Sequence, residues 1–348
     1  MPGTDQGDLY LPSDLHAEGE NISNSYLRVW NTCPLEWALH YLLPHPSDLT
    51  THGMEPHYMG AALPIGSATH TGLYHYRLSG WTNGADTGIY DTQLAITAAR
   101  DYLVDHSSRF KFPEEYDDAC GLVTTLLTKY DEERDPDFDW TVAADAAGNP
   151  ALERSYSTPL MGGRFQLVVK ADAIGITPDG IHCPIEYKTT SRFGSSPLQK
   201  GLSLAGQTAS EIAILHAQFP TAPLGGCIYE LLVKDRGRTS KLPWVERPPM
   251  VTVTPASMAK WLSDCEKWAN EITWSVAGWH DLQSRLGLDP YAAALQTFTQ
   301  GGRSNGQCIR YNRECDYYSY CANFDLGQGA LEGLVPRSRE EENGSGNA

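Results

Sequence analysis

Apolar residues recur at helical spacing along most of this chain and at strand spacing only in its middle. Tyr26-Leu27-Arg28-Val29-Trp30 follows Ser23-Asn24-Ser25, whose short polar side chains suit a helix N-cap. Pro34 suits the first turn of a second helix running through Leu43. Gly66-Ser67 precedes a third helical pattern over residues 68–78, and residues 94–133 are again mostly helical. Residues 257–286 predict one or two long helices, with Trp261, Leu262, Cys265, Trp268 and Ile272 on a stripe that core packing explains. Between these lie three strand patterns: Phe165–Ile174, Ile181–Thr189 and Gly225–Val233. Pro178-Asp179-Gly180 is a turn signal between the first two. Strands embedded among helices predict a single α/β domain.

That domain is expected over residues 21–324, with residues 1–20 flexible and the Gly-rich, charged residues 325–348 a disordered tail. No apolar run approaches the roughly 20 residues that span a bilayer. The acidic start lacks the basic and apolar segments of a secretion signal, so the expected location is the cytoplasm. The net charge of −17 argues against a protein that coats DNA non-specifically. Any nucleic acid must therefore meet a local basic patch. Of the eight cysteines, Cys120, Cys183, Cys227 and Cys265 lie in apolar or helical contexts and read as small core residues. Cys33, Cys308, Cys315 and Cys321 do not.

The hairpin around Asp179 carries the candidate chemistry. If Thr177 pairs with Ile181, antiparallel register puts Asp172 opposite Glu186 and Lys170 opposite Lys188, with Glu186 and Lys188 on one face. Pro184 makes a register-shifting bulge plausible. Two facing carboxylates in an apolar hairpin repel, and a divalent cation removes that penalty. Carboxylate oxygens suit Mg²⁺ or Mn²⁺. A nearby lysine could orient the attacking water or stabilise charge at phosphorus. The same residues would equally serve as a salt-bridge hairpin.

Asp172, thirteen intervening residues and Glu186-Tyr187-Lys188 resemble the core motif of the PD-(D/E)XK nucleases. Gly66-Ser67-Ala68-Thr69-His70 resembles the G-x-x-x-H motif of the RecB-like branch. Gln207 resembles the start of that branch's Q-x-x-x-Y motif, although the fourth following residue is Glu211. Cys33-Pro34 with Cys308, Cys315 and Cys321 resembles the branch, including CRISPR-adaptation exonucleases, that carries an iron–sulfur cluster. The five motifs fall in the family's order from Ser23 to Cys321.

The resemblance implies a restriction-endonuclease-like core, a mixed central sheet flanked by helices, here with helical insertions. It implies His70, Asp172, Glu186 and the Tyr187 carbonyl as metal ligands, Lys188 as the catalytic lysine, and Gln207 as a residue that positions the lysine or the DNA. The expected function is Mg²⁺- or Mn²⁺-dependent hydrolysis of DNA, as an exonuclease in recombination, repair or phage and CRISPR DNA processing. The expected substrate is single-stranded DNA or DNA with free ends, handled with a helicase or recombination partner, in a prokaryotic or phage-infected cell. A non-catalytic DNA-binding subunit of the same fold is the alternative. Arg164, Arg192 and Lys200 are the expected DNA contacts. The four cysteines suit a [4Fe–4S] cluster or zinc. Their lack of a C-x₂-C pair leans towards the cluster, while departing from the family's usual C-x₂-C-x₅-C ending.

Overall fold

The computed structural model describes residues 20–45, 47–57, 61–135, 139–145, 147–190, 206–234, 243–301, 308–310, 313–315, 317, 321 and 334–337. Arg192 and Lys200, two expected DNA contacts, lie outside the described residues. So does the expected flexible N-terminus up to residue 19.

In chain order the strands are β1 (Glu20–Ser23), β2 (Pro44–His45), β3 (Asp48–His52), β4 (Met54–Pro56), β5 (Trp81–Thr82), β6 (Ala85–Asp86), β7 (Thr141–Val142), β8 (Leu152–Leu160), β9 (Phe165–Ile176), β10 (His182–Thr190), β11 (Ile228–Val233), β12 (Trp244–Glu246), β13 (Ile309–Arg310), β14 (Arg313–Glu314) and β15 (Leu334–Pro336). The helices are α1 (Asn24–Thr32), α2 (Pro34–Trp37), α3 (Ala62–Ser79), α4 (Thr92–Asp105), α5 (Pro113–Glu132), α6 (Gly206–Gln218), α7 (Pro255–Leu286) and α8 (Pro290–Thr297). No helix among the described residues is long and apolar enough to cross a membrane.

Local chemistry explains the helix starts. The Ser23 hydroxyl accepts from the Tyr26 N–H at 3.1 Å and caps α1. Pro34 begins α2, which widens into a π-helical turn over Ala38–Leu42. Helix α3 starts earlier than the Gly66-Ser67 signal suggests, because Pro64 lies in its first turn, where no intrahelical N–H partner is needed. The long pattern over 257–286 is one continuous helix, α7, ended by Gly287 at a left-handed φ of 64°.

The central sheet has seven strands in the order β1-β9-β10-β11-β12, with β7 and β8 also paired to β9. It is mixed: β1 runs parallel to β9 and β10 parallel to β11, while β9–β10, β8–β9 and β11–β12 are antiparallel. Leu232 packs towards α3, α4 and α5, whereas its neighbour Leu231 packs with Ile212 of α6. Successive strand residues thus bury opposite faces, and helices cover both. A further core joins α1 and α2 to α7, α8 and the start of β9 through Leu27, Trp37, Phe165, Ile272 and Trp279.

Part of the carboxyl-terminal stretch departs from the expected disordered tail. Leu334–Pro336 pairs antiparallel with β4, and Leu334 packs against the core that contains Met54. A short apolar triplet with an open strand edge beside it has both backbone bonds and burial to gain.

Candidate active site

Strand β9 is long enough to serve two partners along one edge. β1 pairs with residues 165–168 and β10 with residues 173–176. The β9–β10 register keeps His182 opposite Ile176 and Ile185 opposite Ala173, the register set by the Thr177–Ile181 turn. Pro184 sits in register opposite Ile174, so no bulge forms there. The pairing stops at Ala173 and Ile185, and β10 continues beside β11 alone. Asp172 and Glu186 stand where the strands part, and they are not a ladder pair. Lys170 likewise does not meet Lys188 across a ladder; its backbone registers with Ser155 of β8.

At this fork Asp172 Oδ2 accepts the Tyr187 N–H at 2.8 Å, and Asp172 Oδ1 lies 3.1 Å from His70 Nδ1 on α3. The His70 ring stands edge-on to Tyr187, with centroids 6.0 Å apart. Two turns further along α3, Arg77 is fully buried. It donates to Asp139 at 2.9 and 3.0 Å, to the Tyr90 hydroxyl at 2.9 Å and to the Tyr130 hydroxyl at 2.6 Å. Its guanidinium lies 3.9 Å from the Trp140 ring centroid. Tyr130 in turn donates to Glu230 of β11 at 2.5 Å. Removing one member of such a buried charged network typically costs about 3–5 kcal/mol. The network therefore fixes α3, and His70 with it, against the sheet.

Glu186 is 2 % exposed. Lys188 Nζ donates to Glu186 Oε1 and, at 3.2 Å, to Gln207 Oε1 on α6. Gly206 permits that placement: a Cβ there would lie 2.1 Å from the Trp261 ring of α7. The predicted Glu186, Lys188 and Gln207 are thus brought together beside Asp172 and His70.

The charges are unequal in their comfort. Burial opposes a charged His70, but Asp172, Glu186 and Glu153 outweigh it and raise the ring to about 9. Burial also opposes Asp172 ionisation, yet His70, the Tyr187 N–H and Lys188 hold its carboxyl below the usual range. Glu186 goes the other way: burial and the Asp172 charge raise it despite Lys188. Burial works against the Lys188 ammonium, but Glu186 outweighs it and keeps the lysine protonated.

Two carboxylates here carry no sequence signal of the kind used above. Glu153 of β8 joins His70 and Asp172 in a group whose candidate ligand atoms all lie within 4.8 Å of one another, the one such trio among the described residues. Six-coordinate Mg²⁺ holds ligands at about 2.0–2.1 Å, so adjacent ligands stand roughly 3 Å apart and opposed ones roughly 4.2 Å. The imidazole and two carboxylates are thus near enough to converge on a divalent ion through side-chain adjustment. Glu211 of α6, where the resemblance expects tyrosine, is 3 % exposed. Its Oε2 accepts the Cys227 thiol at 3.3 Å, which gives one of the supposed core cysteines a polar partner. Burial and the neighbouring Glu186 raise Glu211 well above the ordinary carboxyl range.

The other predicted residues lie outside this group. Arg164 precedes β9 at the end away from Asp172, roughly 26 Å off at strand rise. It stacks on Phe165 and reaches Asn270 at 3.5 Å. Cys33, Cys315 and Cys321 share one core with Tyr317, and the Cys315 N–H donates to the Cys308 carbonyl at 2.8 Å.

Compared with known families, the sequence matches the PD-(D/E)XK nuclease superfamily over residues 21–322, a span that holds every candidate residue from Cys33 to Cys321. No curated protein matches it in sequence.

Proposed function

The chain belongs to the PD-(D/E)XK nuclease superfamily, and we propose that it is a Mg²⁺- or Mn²⁺-dependent deoxyribonuclease of the RecB-like branch, acting as an exonuclease on single-stranded DNA or DNA ends. The observation that carries the reading is the fork between β9 and β10, where His70, Asp172, Glu186, Lys188 and Gln207 converge. A salt-bridge hairpin would leave Asp172 and His70 no reason to meet across two layers.

His70, Asp172, Glu186 and the Tyr187 carbonyl would hold the ion. When bound, the ion supplies Lewis acidity towards the scissile phosphate and a water of lowered pKa. Lys188 is protonated beside Glu186, so it is suited to stabilising negative charge at phosphorus and not to taking a proton. Gln207 holds the ammonium from its other side and limits its wandering. Asp172 is fixed by two hydrogen bonds, so the residue at the centre of the site is preorganised.

The four cysteines are proposed to hold a [4Fe–4S] cluster. The shared packing of Cys33, Cys315 and Cys321 supports it, as does the backbone bond joining Cys308 to Cys315. Recombination, repair or phage and CRISPR DNA processing, a helicase partner and a cytoplasmic location follow from the RecB-like reading. Arg164, Arg192 and Lys200 remain the proposed DNA contacts. End-labelled single- and double-stranded DNA incubated with Mn²⁺, with and without chelator, tests the assignment. Shortening from labelled ends that stops with chelator is the expected result; DNA left intact with Mn²⁺ would refute it.

A further inference from the structure

We propose that Glu153 is an additional protein ligand for the divalent ion, delivered from β8 and lying outside every motif of the site. The inference rests on the metal-nuclease reading above. Its first support is position. Leu152 registers with Ala173 and Arg154 with Ala171, so Glu153 stands across from Asp172. The ladder breaks at that one position, because Glu153 adopts a left-handed φ of 48°. Among the described residues only Asn83, in the β5–β6 turn, is another non-glycine with positive φ. A side chain with a Cβ is disfavoured there, and asparagine and glycine are the residues that accept it.

The strained backbone has a definite result: a Glu153 carboxylate oxygen joins His70 nitrogen and Asp172 oxygen within 4.8 Å. The second support is how the carboxylate is compensated. Lys170 Nζ lies 2.8 Å from Glu153 Oε2, and Lys170 is 42 % exposed. The counter-charge is thus a half-solvated lysine that can swing away, unlike the buried Arg77 network. Glu153 can exchange that lysine for an ion without any change in the core.

The test is Mn²⁺ binding to the full chain, stripped of metal with chelator and dialysed. Affinity is read by calorimetry and by the electron paramagnetic resonance of free Mn²⁺. Glu153→Asn removes the carboxylate and tolerates the left-handed backbone; Glu153→Gln removes only the charge. Both should weaken Mn²⁺ binding about tenfold or more, at least the loss seen when a ligand's outer support is removed. The metal-free Tm of Glu153→Asn should equal or exceed that of wild type. Lys170→Ala should tighten Mn²⁺ binding in wild type and leave it unchanged in the Glu153→Asn background. Wild-type affinity in both Glu153 variants overturns the proposal and leaves the nuclease reading intact. Loss of affinity only in step with a fallen Tm assigns Glu153 to the fold and also overturns it. Failure of wild type itself to bind Mn²⁺ removes the metal-nuclease reading, and this proposal with it.

Discussion

Asp172 Oδ2 accepts the main-chain N–H of Tyr187 at 2.8 Å, just past the last ladder pair of β9 and β10. A side-chain carboxylate thereby takes an N–H that strand pairing has released. The fork is stabilised by the residue that the fork exposes to chemistry. The two carboxylates of the motif consequently differ. Against burial, His70 and this N–H hold the Asp172 carboxyl below its usual range, whereas burial and the Asp172 charge push the Glu186 carboxyl above it.

In the metal-free protein, Asp172→Asn should therefore lower stability by about 1–3 kcal/mol, the usual cost of a lost charged hydrogen bond. Glu186→Gln should be neutral or stabilising, because it removes the carboxyl whose ionisation burial and Asp172 disfavour. Both should abolish Mn²⁺-dependent cleavage. Urea melts in chelator beside a cleavage assay in Mn²⁺ check the pair. Equal destabilisation by the two variants would contradict the asymmetry.

Lys188 meets Glu186 on one side and Gln207 on the other. If its charge acts on the transition state, Lys188→Ala should lower kcat about 10²–10³-fold, as loss of one preorganised donor does. The Kd for Mn²⁺ and DNA should change little. Lys188→Arg should not rescue, since a planar guanidinium cannot occupy the ammonium's position. Gln207→Ala should lower kcat less, by about tenfold, because it only loosens the lysine. A change confined to DNA affinity would make Lys188 a phosphate contact.

The legibility of this site in the sequence divides along physical lines. The Pro178-Asp179-Gly180 turn specifies register, so the placement of Asp172 near Glu186 could be read by counting. Counting could not show that the strands part after Ile185, since β1, from the far amino-terminal end of the chain, takes the same edge of β9 at residues 165–168. Strand β8 gives no strand signal in the sequence, because Leu152-Glu153-Arg154-Ser155 begins with one apolar residue among polar ones. Its outward side chains are exposed and leave a weak alternation. No sequence pattern announces a left-handed glutamate such as Glu153. The fold class was legible because Phe165–Ile174 and Gly225–Val233 are apolar, β-branched runs between long amphipathic helices.

The Cys33 thiol is buried and 4.0 Å from the Thr299 carbonyl, in the same core as Cys315 and Cys321. With a [4Fe–4S] cluster, anaerobically purified protein should be brown and hold about four irons per chain. Cys33→Ser should lose the colour and lower Tm, because the cluster ties α2 to the segment after residue 308. Colourless protein containing one zinc would replace the cluster with a Cys₄ zinc site. Well-folded protein with neither metal would exclude both while leaving the nuclease assignment untouched.

The core that holds these cysteines also has a pH-sensitive anchor in Tyr317. The Tyr317 hydroxyl donates to the Met54 carbonyl at 2.6 Å and lies 2.7 Å from His40 Nδ1. Its single proton is committed to Met54, so His40 Nδ1–H must donate to the Tyr317 oxygen. Burial, then the charge of Arg337, lower His40 to about 4, outweighing the opposite effect of the Met54 carbonyl. An unfolded histidine titrates near 6.5. The folded pKa is depressed, so this group's contribution is fully present above 6.5. It is lost as pH falls towards 4, where the ring must be charged in place. The contribution amounts to at most about 3 kcal/mol at the lower end. Urea midpoints measured from pH 7 to 4.5 should fall more steeply in wild type than in His40→Gln, which keeps a donor for Tyr317 without a titrating ring. Parallel slopes for the two proteins would show that His40 is not the anchor's pH-sensitive member.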